Sequence, residues 1–140
     1  MSVEANKAFV REWVATAWNN GDLRLVDEKF TQNYTLHDVT APNQVGREPF
    51  KLFIGGFLSA FPDVHVTIED LFGEGDKITW RWTMTGTQTG ALGTIPATGK
   101  SMKIGGTIIT RFVDGLWAED YVYYDFFGLL QQLGVVPALA

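Results

Sequence analysis

Cysteine is absent from the 140 residues, which excludes disulfides, zinc–thiolate centres and thiol nucleophiles. Histidine occurs only twice, at His37 and His65, and no His/Asp cluster has metal-ligand spacing, so no metal site is expected. Basic residues form no run or stripe. The 11 Lys and Arg are scattered among 16 Asp and Glu for a net charge of −5, which argues against a nucleic-acid backbone as partner. No apolar stretch approaches the length of a membrane span. Met1–Asn6 lacks a charged start followed by an apolar run, so the expectation is a cytoplasmic protein. There is no Ser-His-Asp order and no dinucleotide fingerprint. Gly86-Thr87-Gln88-Thr89-Gly90 has the glycines of a phosphate loop but neither its lysine nor a strong following helix. No cofactor is expected.

What remains is a chain rich in apolar and aromatic side chains, 46% and 14% of residues respectively, enough to line a large internal surface in one domain spanning residues 1–140. Phe9, Val10, Trp13, Val14 and Ala17 recur at helical spacing, with Ser2 as N-cap and Asn20-Gly21 as a stop. A second short helix is expected from about Leu23 to Phe30, followed by an extended Tyr34–Asp38. Glu48-Pro49 opens a third helix with a heavy apolar face, which Pro62 ends. Gly55-Gly56 inside it costs helix stability and suggests close backbone packing.

From Asp63 onward the period becomes two. Val64, Val66 and Ile68 alternate with polar residues, as do Ile78, Trp80, Trp82 and Met84. A strand through Met102–Phe112 leads to a tight Asp114-Gly115 hairpin. On strict alternation Trp117, Glu119, Tyr121, Tyr123 and Asp125 then share one face, before a closing helix from Phe126 to Leu133. Helices first and antiparallel strands after predict an α+β fold. The expected form is a curved antiparallel sheet closed into a cone by about three N-terminal helices, with a pocket between. The Thr79, Thr83 and Thr85 face is neither core nor highly charged and suits a second subunit.

Asp125 is the leading candidate for chemistry, and two readings of it stand side by side. Facing a pocket walled by Trp117, Tyr121 and Tyr123, it is a general acid/base with a raised pKa. As the residue before the closing helix, it is an N-cap whose pKa the backbone N–H groups lower. His37 can polarise a carbonyl or shuttle a proton. Asp38, pointing to the opposite face of its strand, is the alternative base. By parity Gln88 continues the Trp80–Met84 face, where its amide reaches either a ligand or its own turn. Trp13 and Trp82 serve as core or as walls for a flat apolar molecule. His65 faces solvent, and nothing is assigned to it.

The order of these segments resembles the SnoaL-like polyketide cyclases of the nuclear transport factor 2-like superfamily. The resemblance runs through Tyr34–Asp38, Ala60–Asp63, Gly75-Asp76, Trp80-Arg81-Trp82 and Gly86–Gly90. It continues through Thr98-Gly99-Lys100, Arg111–Gly115, Glu119, Asp125 and Gln132-Leu133-Gly134. It implies a curved-sheet cone, a homodimer, and closure of a ring by intramolecular aldol condensation of a hydrophobic polyketide ester without cofactor. It also implies that Asp125 is the family's catalytic aspartate. Gln88 stands where the family commonly carries histidine; glutamine keeps a hydrogen bond but does not titrate. A ketosteroid-isomerase-like proton transfer at Asp38, and a dimeric binding module without catalysis, are the alternatives.

Overall fold

A computed structural model describes residues 2–137. Ser2 caps the first helix, α1 (Val3–Trp13), by accepting from the Ala5 N–H. The helix runs on through a π-helical turn, Val14–Trp18, into a stop at Gly21 with φ 71°. The short helix α2 (Arg24–Lys29) precedes strand β1 (Phe30–Asp38), the two-residue strand β2 (Gln44–Val45) and helix α3 (Arg47–Ala60). Four long strands follow: β3 (His65–Glu74), β4 (Lys77–Thr87), β5 (Ser101–Val113) and β6 (Leu116–Tyr124), then helix α4 (Phe126–Gln132).

The strands form one sheet in the order β2-β1-β6-β5-β4-β3. β3 to β6 run antiparallel, and Asp114-Gly115 closes the β5–β6 hairpin with φ 51° and 78°, the paired positive values of a type I′ turn. The sheet is not wholly antiparallel, which corrects the expectation: β1 lies parallel to β6, so the first and last long strands sit side by side. Parallel pairing needs a long crossover, here everything from β2 to β5.

Helices α1 and α3 cover the concave face. Phe30 and Trp117 stack at 5.1 Å between centroids, ringed by Phe9, Trp13 and Phe50. Gly55 and Gly56 face open space, with no atom within 4 Å of where a Cβ would stand, so the expected close packing is absent. Solvent exposure of that side of α3 is the reason: nothing crosses it.

A bulge decides what faces the site. Phe112 pairs with Trp117 and Arg111 with Glu119, so Ala118 is an extra residue on β6. Trp117 and Ala118 are both buried, and alternation restarts one residue out of step. Asp120, Val122 and Tyr124 therefore point inward, while Glu119, Tyr121 and Tyr123 point outward.

Candidate active site

The concave face and the helices enclose an open cavity of about 620 Å³ of empty space, counting its mouth. Trp13 and Trp18 wall it from the first helix; Phe50, Phe53, Ile54 and Phe57 from α3; Trp80, Trp82 and Met84 from β4. Among the described residues, only Asp38, Asp120 and Tyr124 bring oxygen-bearing side chains to this lining.

Asp120 is 4% exposed. Its Oδ2 accepts from the Tyr34 hydroxyl at 2.6 Å and from the Trp117 indole N–H at 2.8 Å. Its Oδ1 accepts from the Thr110 hydroxyl, which in turn accepts from the Trp80 indole N–H at 3.1 Å. A carboxylate has about four acceptor positions, so three donors leave Oδ1 room for one more partner. Burial pushes the Asp120 pKa up to about 6 and the three donors pull against it, while the Glu119 charge adds to the rise. Burial and the Asp120 charge raise Tyr34 well above the phenol range, so it remains a donor. The result is a desolvated carboxyl group that changes protonation close to neutrality, the property needed to take a proton and return it.

Asp38 enters from β1, with Oδ1 accepting from the Thr40 backbone N–H at 2.7 Å and the Thr40 hydroxyl at 2.6 Å. The Tyr124 hydroxyl lies 3.0 Å from the Thr40 hydroxyl, and burial raises its pKa to about 12.

Of the residues singled out in the sequence, Asp38, Trp13 and Trp82 line this cavity. The others stand elsewhere, which corrects the pocket placement; for Asp125 the N-cap reading is the one the structure matches. Asp125 is exposed and caps α4, its Oδ1 accepting from the Gly128 N–H at 2.8 Å. Tyr121 and Tyr123 are 41% and 57% exposed on the outer face, turned there by the Ala118 bulge. Trp117 is wholly buried and serves by holding Asp120. Gln88 is wholly buried in a different place: its amide donates to the Ile95 and Pro96 carbonyls and accepts from Thr98, tying the 90–99 loop to the sheet. His37 lies outside, its ring stacked 4.0 Å above Tyr121 and its Nε2 2.7 Å from Glu119. Glu119 also accepts from Arg111 at 3.0 Å, and the His37 contact is the main cause of its lowered pKa.

Asp120, Tyr34 and Tyr124 were missed as site residues. The signal was present in the phase of β6: Trp117 and Val122 are both apolar yet fall on opposite parities, and Ala118 directly after Trp117 makes an apolar pair where the phase changes.

The family model of SnoaL-like polyketide cyclases matches residues 8–133. The chain belongs to this family. Among solved structures, TsrD from Streptomyces laurentii is 30% identical with a TM-score of 0.86, the match covering 97% of this chain and 99% of that one. AclR from Streptomyces galilaeus, a suggested hydroxylase, is 28% identical with a TM-score of 0.86, covering 99% of this chain and 87% of its own. A protein from Jannaschia sp. CCS1 shares the fold at 20% identity and a TM-score of 0.88, over 96% and 94% of the two chains. No curated protein matches. This member of the family has the α+β cone of ketosteroid isomerase-like folds. Among the described residues no helix is long and apolar enough to cross a membrane, and no group of three or more His, Cys, Asp or Glu is placed to hold a metal.

Proposed function

We propose that this SnoaL-like protein is an acid/base enzyme acting on a flat, hydrophobic carbonyl compound, with Asp120 rather than Asp125 as the proton carrier. The reaction is aldol ring closure of a polyketide-type ester. Asp120 as carboxylate removes a proton from a methylene flanked by carbonyl groups, and the enolate carbon bonds to a second carbonyl carbon of the same molecule. The resulting alkoxide then takes the proton back from Asp120. Atoms and charge balance with this one group, so the chemistry calls for no cofactor. The observation that carries the reading is a buried carboxyl group with three donors and one free acceptor position on the wall of an apolar cavity. Closing such a cavity around substrate keeps water from the enolate.

The test uses 2-tetralone, whose activated methylene exchanges hydrogen for deuterium in D2O and is followed by proton NMR. Wild type is expected to accelerate exchange, Asp120→Asn to abolish the acceleration and Asp125→Asn to retain it. Exchange that survives Asp120→Asn overturns the assignment. Loss in Asp38→Asn with retention in Asp120→Asn favours the ketosteroid-isomerase-like alternative, because Asp38 shares the cavity. No acceleration by wild type favours a binding module without catalysis.

The outer sheet face fits a second copy of the chain, since Ile109, Tyr121, Tyr123 and Phe72 are exposed there beside the threonines of β4. Sedimentation of wild type as a dimer, and of Tyr123→Glu as a monomer, is the expected outcome.

A further inference from the structure

The cavity has a second polar station at its mouth, built from Asp38, Thr40 and Tyr124, and proton accounting gives it a direction. The Thr40 hydroxyl has one hydrogen, which it donates to Asp38 Oδ1 at 2.6 Å. The 3.0 Å contact between the Thr40 and Tyr124 hydroxyls must then be donated by Tyr124. The chain runs Tyr124 to Thr40 to Asp38, so the Tyr124 hydrogen is committed to Thr40 and not to the cavity. What Tyr124 keeps is an oxygen lone pair. The side chain lies on the cavity wall, with the Trp82 ring 6.2 Å away and the Phe126 ring 6.0 Å away between centroids. Its raised pKa keeps the phenol protonated, so the direction persists at neutral pH.

We propose that Tyr124 Oη is an acceptor subsite that selects substrates carrying a hydroxyl group, phenolic or enolic, at the end of the molecule nearest the cavity mouth. A carbonyl or ether oxygen brought to the same point meets a lone pair with no hydrogen between, so the subsite discriminates donor from acceptor at one position. Hydrogen bonds of this kind differ by a large factor when one side cannot pair. The inference deepens the reading of the cavity as a substrate site and gives its orientation: hydroxyl at Tyr124, activated methylene at Asp120. Tyr124 is here a specificity-determining residue.

The test is binding rather than turnover, so it stands or falls separately from the role of Asp120. The probes are 1-naphthol and 1-methoxynaphthalene, which share an apolar ring system and have no methylene between carbonyls. Wild type is expected to bind 1-naphthol about five- to tenfold more tightly, measured by calorimetry. In Tyr124→Phe the preference should fall below twofold with 1-methoxynaphthalene affinity unchanged, which reports an intact cavity. Thr40→Val releases the Tyr124 hydrogen, so 1,4-naphthoquinone, an acceptor, should gain relative to 1-naphthol. Equal binding of the two naphthalenes by wild type, no binding of either, or a preference that survives Tyr124→Phe overturns the proposal.

Discussion

Glu119 and Asp120 are neighbours on β6, yet their carboxyl groups shift in opposite directions. On the outer face Glu119 meets His37 and Arg111 at hydrogen-bond distance, and these pull its pKa down. On the inner face Asp120 has three donors but no cation, and desolvation outweighs them. Burial decides the difference: desolvation is the largest influence on the enclosed Asp120, whereas on the partly exposed Glu119 the hydrogen bond to His37 outweighs it. The sheet is only one residue thick, so it separates an ion-pair surface from an apolar cavity.

The largest way to break the contrast is Asp120→Ala. It strands the donors of Tyr34, Trp117 and Thr110, and a cost of about 3 kcal/mol or more in urea unfolding is expected. Asp120→Asn should cost less stability while lowering 2-tetralone exchange by about 10²–10⁴-fold.

Next comes pH. Asp120 moves from an ordinary 3.8 to about 6 on folding. Between those values the native state binds a proton that the unfolded chain has released, so stability falls as pH rises through the window. The fall totals about 3 kcal/mol and is complete above it. Glu119 acts with the opposite sign at lower pH, its stabilisation being lost as pH drops through its lowered pKa. Subtracting the unfolding profile of Asp120→Asn from that of wild type should isolate the falling limb; identical profiles would contradict the shift. As a base, Asp120 also requires that exchange rise with pH through about 6.

A smaller effect is expected at Asp125→Ala, where a lost cap costs about 1 kcal/mol in thermal or urea unfolding and exchange stays within about twofold. Smallest of all is Glu119→Gln. Its charge raises Asp120 from behind, so the pH limb of exchange should move down, with kcat on its plateau little altered.

Much of the fold can be read from the chain. Helical spacing from Phe9 to Ala17 marks the first helix, and the alternation from Ile78 to Met84 marks β4 and its inward face. Asp114-Gly115 marks the hairpin. The site was harder, because alternation carries a face assignment only until an extra residue intervenes. Ala118 is that residue, and it announces itself by neither glycine nor proline. Counting in twos from Trp117 therefore puts Tyr121, Tyr123 and Asp125 inside and Asp120 outside. The parallel β1–β6 pairing was equally hidden, since 77 residues stand between the end of β1 and the start of β6 with no local turn to join them.

That pairing also bears on the order in which the protein matures. Tyr34 and Asp120 bond across 86 residues of sequence, and His37 and Glu119 across 82. A nascent chain cannot assemble this cavity until β6 has left the ribosome, and contacts so distant in sequence form slowly. Until then Trp13, Phe30 and Phe50 lack Trp117, the ring against which Phe30 stacks. The last strand delivers both the buried Asp120 carboxyl and the keystone of the aromatic core, so the unfinished protein has neither the polar centre of its cavity nor a closed interior.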